Sequence, residues 1–176
     1  MKPRTKKAEF MLSDEEHERI TKIPVLQDNN YHMLHDEYFM RQALQEAHTA
    51  FEKNEIPVGA VVVVNQRIIA RAHNLTELLN DVTAHAEMQA ITAAANILGG
   101  KYLTDCTLYV TVEPCPMCAG ALRWAQLTRL VYGATDEKRG YSRISPHLLH
   151  PKTAVTQGVM AEECADLMRL FFARFR

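Results

Sequence analysis

Thr83-Ala84-His85-Ala86-Glu87 and Glu113-Pro114-Cys115-Pro116-Met117-Cys118 decide how this chain folds and what it does. The first stretch sets an imidazole and a carboxylate two residues apart. The second sets two thiols at i and i+3, one helical turn apart, with proline at positions that the first turn of a helix tolerates. Two thiols and an imidazole are a preferred donor set for tetrahedral zinc. Three protein ligands leave one position open for water, as a catalytic site requires. A helix start also offers the positive end of the helix dipole, which favours the thiolate that a metal needs. The pattern therefore assigns His85, Cys115 and Cys118 to one Zn2+ and leaves Glu87 beside it as a proton carrier. A structural zinc site would instead need a fourth protein ligand, for which Cys106, Cys164 and His73 are the candidates.

Outward from these stretches, helices alternate with strands. Phe39, Ala43, Ala47 and Ala50 recur at helical spacing and predict a helix from Asp36, its N-cap, to about Lys53, stopped by Asn54 and Pro57. Val58 to Val64 is a continuous apolar run, the pattern of a strand buried on both faces. Asn65-Gln66 turns the chain into an antiparallel second strand, Arg67 to Ala72. Thr83 predicts the cap of a helix from His85 to Leu98, and Gly99-Gly100 its end. Thr107 to Val112 and Arg129 to Gly133 read as strands, with a helix from Met117 to Gln126 between them. After a polar loop, 136 to 152, come a short strand at 153–156 and an amphipathic helix from Ala161 to Phe172. This succession predicts one α/β domain, a sheet between helix layers. Two helix N-termini beside the ends of neighbouring strands put the metal at the edge of the sheet, where ligand clefts of open α/β sheets lie.

The 176 residues, 47% of them hydrophobic, suffice for one full core. No apolar run is long enough to cross a bilayer. Lys2, Arg4, Lys6 and Lys7 are not followed by the apolar segment of a secretory signal, so a cytoplasmic location is expected. Four cysteines in that setting imply thiolate chemistry rather than disulfides. The net charge of −1 lacks the basic bias of a dedicated RNA binder, so any RNA site rests on local patches. Residues 1–35 read as an N-terminal extension, partly disordered, with a short helix capped by Ser13 and Glu16 and a polar break at Gln27 to Asn30. Met33 is an alternative start. Residues 36–176 are the domain.

The chemistry follows from the donors. A water held at such a site has its pKa brought to about 7. Glu87 can take its proton and pass it to a ring nitrogen, while the oxygen attacks an amidine-like carbon and the amine leaves as ammonia. Cytosine C4 and adenine C6 both suit this reaction.

Ile56-Pro57-Val58-Gly59-Ala60-Val61, the two stretches quoted first (the second continuing to Ala121) and Val131-Tyr132-Gly133-Ala134-Thr135-Asp136 resemble the bacterial tRNA adenosine deaminases of the TadA family. Gly158 to Ala165 and the Phe171-Phe172 ending resemble them too, and narrow the likeness from the wider deaminase superfamily. The resemblance runs from about Glu37 to the end. It implies a three-layer α/β/α cytidine-deaminase-like fold with a five-stranded mixed sheet. It also implies a homodimer whose subunits share each RNA site, and conversion of adenosine to inosine at the wobble position of an arginine tRNA. By the same resemblance Asn74 holds the flipped purine, its amide supplying donor and acceptor. The backbone N–H of Ala86 faces the attacked centre, Pro57 and Val58 line the base pocket, and Asp136 lies near the target sugar. The aromatic, basic C-terminus with Phe172 and Phe175 belongs to the RNA end. Arg123, Lys138, Arg139, Arg143, Arg174 and Arg176 are candidate phosphate contacts. Two other classes compete: a free-base deaminase acting on guanine, and a non-catalytic zinc- or RNA-binding subunit. The C-terminal helix and the Asp136 loop oppose the first. The intact Glu87 opposes the second.

Overall fold

The computed structural model describes residues 29–175, with side chains from His35 onward. The Ser13–Glu16 pattern and most of the 1–35 extension lie outside those residues. The elements are α1 (Asn29–Glu52), β1 (Gly59–Val64), β2 (Arg67–His73), α2 (Ala86–Leu98), β3 (Cys106–Val112), α3 (Pro116–Trp124), β4 (Arg129–Ala134), β5 (Ala154–Gln157) and α4 (Ala161–Ala173). Two short 3-10 turns, Tyr141–Arg143 and Pro146–Leu148, punctuate the polar loop before β5.

The sheet has five strands in the order β2-β1-β3-β4-β5. β1 runs antiparallel to both β2 and β3, while β3, β4 and β5 are parallel, so the sheet is mixed as expected. Residues of β1 alternate between two cores. Ala60 and Val62 join Ala86, Ala90, Ala119 and Leu122 from α2 and α3. Val61 and Val63 join Phe39, Met40, Ala43 and Ala47 of α1 and Cys164 and Leu167 of α4. Burial on both faces is why this strand reads as an unbroken apolar run. The result is three layers, α1 and α4 on one face and α2 and α3 on the other. The Asn65-Gln66 turn has positive φ at both residues, 46° and 61°, the twist that a two-residue hairpin demands.

Helix α1 begins at Asn29, not at Asp36. No glycine or proline between Asn29 and His35 stops it there, and Asp36 does not cap it. The buried Asp36 carboxylate instead takes two hydrogen bonds from the Arg129 guanidinium, at 2.8 and 2.6 Å, and a third from the Tyr109 hydroxyl at 2.8 Å. Burial, then this hydrogen bond, pushes the Tyr109 hydroxyl pKa well above its usual value. Asp36→Asn, which puts an NH2 against that guanidinium, is expected to cost roughly 2 kcal/mol, discounted because Arg129 stays partly exposed. Its denaturation midpoint should fall while the His85-Cys115-Cys118 end is unaffected, because the pair lies at the opposite end of the sheet.

That site end is fixed by register. Gly59 opens β1 opposite His73, the last residue of β2. Val112 closes β3 opposite Ala134, the last residue of β4. The segments 54–58, 74–78, 113–115 and 135–142 therefore converge at one end of the sheet. Among the described residues no helix is long and apolar enough to cross a membrane.

Candidate active site

His85 and Cys115 are each the N-cap residue of a helix, α2 and α3. Both have extended backbones, with ψ of 155° and 168°, and neither side chain caps its own helix. Thr83, expected to cap α2, does not: its hydroxyl donates to Asp81 at 2.8 Å. A second short bond, His85 N–H to the Thr83 carbonyl at 2.8 Å, tightens the chain before the helix. The imidazole is thus free to face α3, where Cys118 sits one turn beyond Cys115.

His85 Nδ1 lies 3.7 Å from Cys115 Sγ and 3.5 Å from Cys118 Sγ. All three donor atoms fall within 4.8 Å of one another. Zinc bonds of ordinary length at a tetrahedral angle would set a nitrogen and a sulfur about 3.6 Å apart. The donor set therefore fits zinc in both chemistry and spacing. Among the described residues these three alone form such a group. The proposed fourth ligands lie elsewhere. Cys106 is buried at the far end of β3, Cys164 packs in the other core, and His73 bridges Glu46 and Lys53.

A hydrogen bond from Cys118 brings the Cys115 thiol down to about 4, against the opposing effect of burial. The same bond, with burial, drives the Cys118 thiol upward. The negative Cys115 sulfur in turn raises the His85 imidazole pKa.

Glu87, the second residue of α2, is 3% exposed. Burial raises its pKa, and Cys115, His85 and Cys118 are its charged or hydrogen-bonding neighbours. The acid thus stands against the ligand set. Ala86, between His85 and Glu87, is the first helical residue of α2, where the N–H has no carbonyl partner within the helix.

Asn74 follows β2 at the same end, 4% exposed. Its Nδ2 donates to Glu55 Oε2 and to Thr76 Oγ1, both at 2.9 Å. Both amide protons are spent, so Asn74 keeps an acceptor for a ligand but not the donor expected of it. Glu55 also accepts from the backbone N–H groups of Glu77 and Leu78, at 3.2 and 2.7 Å. Pro57 is buried and Val58 half-buried between Glu55 and Gly59, and the Val58 carbonyl accepts the Asn74 N–H at 3.0 Å.

Asp136 lies just past β4, partly exposed, with its Oδ1 accepting the N–H groups of Lys138 and Arg139 at 2.9 Å each. Three of the candidate phosphate contacts, Arg123, Arg143 and Arg174, are otherwise occupied. Arg123 donates to the carbonyls of His147 and Leu149, and Arg143 to that of Glu137. Lys138 and Arg139 remain exposed. Phe171 is buried against Phe51, while Phe172 and Phe175 pack on Phe171 with exposed outer faces. Arg174 stacks on Phe51 at 3.6 Å. Arg176 is outside the described residues.

The sequence did not reveal the buried carboxylates Glu55 and Glu113. Their one local signal is a carboxylate one or two residues before a proline, Glu113 before Pro114 and Glu55 two before Pro57, where an apolar strand ends or begins.

A three-layer α/β/α fold with this His-Cys-Cys group and a buried glutamate at one sheet end defines a deaminase. The family model of MafB19-like deaminases matches residues 33–174. The tRNA-specific adenosine deaminase of Bacillus subtilis is 46% identical over 149 residues, 82% of this chain and 92% of that protein. A solved tRNA:A34 deaminase, studied for A-to-I editing at the wobble position of transfer RNA, is 44% identical, with a TM-score of 0.69 over 74% of this chain and 98% of that one. The guanine deaminase of Bacillus subtilis is 39% identical over 61% of this chain and 73% of that one, with a TM-score of 0.56. The chain belongs to the family of tRNA-specific adenosine deaminases.

Proposed function

We infer that this chain converts adenosine to inosine at the wobble position of tRNA, with one zinc ion per subunit. An arginine tRNA is its substrate, and it works as a cytoplasmic homodimer. The carrying observation is the His85-Cys115-Cys118 group with Glu87 buried against it, in a chain of this family. Zinc, when bound, makes a water acidic enough to yield its proton at neutral pH.

The protein groups do the rest. The Glu87 carboxylate accepts a proton from the attacking water and donates it to adenine N1. It takes the second water proton and gives it to the departing amine, so that adenosine and water become inosine and ammonia. The Ala86 N–H donates a hydrogen bond beside the attacked carbon. Asn74 Oδ1 accepts from the flipped nucleotide, and Pro57 and Val58 bound the base. Asp136, with the cations Lys138 and Arg139 beside it, faces the sugar and backbone.

The dimer is supported by α3. Trp124 is 81% exposed and Met117 38%, seven residues apart on one side of that helix. An apolar stripe of this kind facing water marks an interaction surface. Trp124→Glu should convert the dimer to a monomer in sedimentation velocity and lower RNA deamination at least about tenfold, since each RNA site needs both subunits. A dimer unchanged by this substitution would place the interface elsewhere.

The function is tested by inosine formation on an arginine-tRNA anticodon stem-loop, the same loop with the adenosine moved, free adenosine, guanine and cytosine. Product from the wobble adenosine alone is expected. Turnover of guanine without action on RNA would move the chain to the free-base deaminases.

A further inference from the structure

Four carboxylates are buried among the described residues: Asp36, Glu55, Glu87 and Glu113. Asp36 pairs with Arg129, Glu87 belongs to the reaction, and Glu55 holds Asn74 and the segment after it. Among the described residues Glu113 forms no ion pair and accepts backbone N–H groups instead. It is 3% exposed and lies between the end of β3 and Pro114-Cys115. Its Oε2 accepts the backbone N–H of Asp136 at 3.1 Å, and its Oε1 that of Ser142 at 3.0 Å. A third bond, Tyr141 N–H to the Pro114 carbonyl at 2.9 Å, binds the same loop to the same strand end. Gly140 lies so close that a Cβ there would overlap the carboxyl group.

Burying a carboxylate costs several kcal/mol unless hydrogen bonds restore what water supplied. An apolar residue would close a strand end at lower cost. What the carboxylate adds is position: it grips the first and the last residue of the loop 136–142. The loop's own bonds, Lys138 and Arg139 N–H to Asp136 Oδ1 and Gly140 N–H to the Asp136 carbonyl, hold its turn but do not tie it to β3. The parallel register of β3 and β4 carries Glu113-Pro114-Cys115 alongside Thr135-Asp136, so this loop is the wall next to the ligand Cys115. The loop holds Asp136 and the exposed Lys138 and Arg139, groups that meet a sugar and phosphates.

We propose that Glu113 is a positioning residue for the RNA: it holds the loop 136–142 as the wall against which the nucleic-acid backbone is seated beside the metal. It touches neither the substrate nor the metal. The inference rests on the tRNA function proposed above and adds to it the group that sets the RNA-facing wall.

Glu113→Gln keeps the size but turns an NH2 toward an N–H that the carboxylate accepted. Gly140→Ala crowds both the Glu113 carboxyl group and the Asp136 carbonyl oxygen, and so displaces the loop from the carboxylate without touching the charge. In both zinc-loaded variants KM and Kd for the stem-loop should rise about tenfold or more, with kcat within about twofold. Zinc should stay at one per chain, and the Asp136 and Ser142 amides should exchange hydrogen faster. Unchanged Kd and KM in both variants would overturn the proposal. So would a fall in kcat or zinc content at unchanged KM, which would assign Glu113 to the metal helix. A wild-type protein inactive on RNA overturns the function instead, and stem-loop affinity still decides whether Glu113 seats RNA.

Discussion

Glu87→Gln is expected to lower deamination by about 10² to 10⁴-fold, the range for losing a positioned acid–base group, with one zinc per chain retained. Glutamine fills the same volume at a position only 3% exposed, so no cavity opens beneath the ligands. It cannot accept a proton from water or deliver one to a ring nitrogen. Stability should not suffer. Burial raises the Glu87 pKa, so at neutral pH, above the ordinary carboxylate range that holds in the unfolded chain, the ion-free fold is penalised. The penalty is full above the raised value, shrinks as pH falls below it and is gone only once pH lies below the ordinary carboxylate value, and glutamine removes it throughout. The melting temperature of the ion-free variant at pH 7 should therefore equal or exceed that of the wild type. Inosine formation, zinc content and melting are read on the same preparation. Activity retained would require another base, and activity lost together with zinc would make Glu87 a ligand.

The metal group was legible because its chemistry is local. Cys115 and Cys118 are one helical turn apart and His85 and Glu87 two residues apart, and their donor chemistry together with the H-x-E and P-C-x-x-C pattern joins the two stretches. The strand order was not legible. An apolar run shows that β1 is buried on both faces and the likeness to a family implies a five-stranded mixed sheet, but the order and the antiparallel pairing of β1 with β3 come from the structure. Contacts across long sequence separations were not legible. Asp36 and Arg129 are 93 residues apart, and at its own position Asp36 has the look of a helix cap. The amide of Asn74 looked able to both donate and accept until Glu55 and Thr76 claimed its protons. Glu113 binds backbone N–H groups, which every residue but proline has, so no residue type in the loop betrays its partner. Arg123 is a surface cation by sequence, and by structure a clasp on two carbonyls. The donor set thus follows from residue types, whereas the walls around it follow from buried polar pairs that only the fold creates.

Gly59→Ala should produce the largest loss of stability of any single methyl group added here. Gly59 opens β1 with its α-carbon against the middle of α1. A Cβ there would overlap the Ala43 carbonyl oxygen and the Ala47 nitrogen and come within 2.9 Å of the Glu46 carbonyl carbon. These are backbone atoms of a helix whose Phe39, Met40, Ala43 and Ala47 are packed in the core, so no side chain can swing aside. Either α1 lifts from the sheet or β1 shifts along it. Overpacking of this kind costs about 3 kcal/mol or more, which in a domain of this size corresponds to a melting temperature about 10 °C lower. The disturbance would not stay local. The Gly59 N–H donates to Thr111 Oγ1 at 3.1 Å, and its neighbour Val58 holds the Asn74 N–H, so a shift of β1 reaches the base pocket. Gly100→Ala is the matched control, because a Cβ there meets nothing within 4 Å, and its midpoint should stay within about 0.5 kcal/mol of the wild type. A Gly59→Ala protein that melts with the control would mean that α1 and β1 do not pack this closely. The expected outcome, a large loss at Gly59 and none at Gly100, would explain the glycine in Ile56-Pro57-Val58-Gly59-Ala60-Val61 by the approach of a helix backbone rather than by a turn.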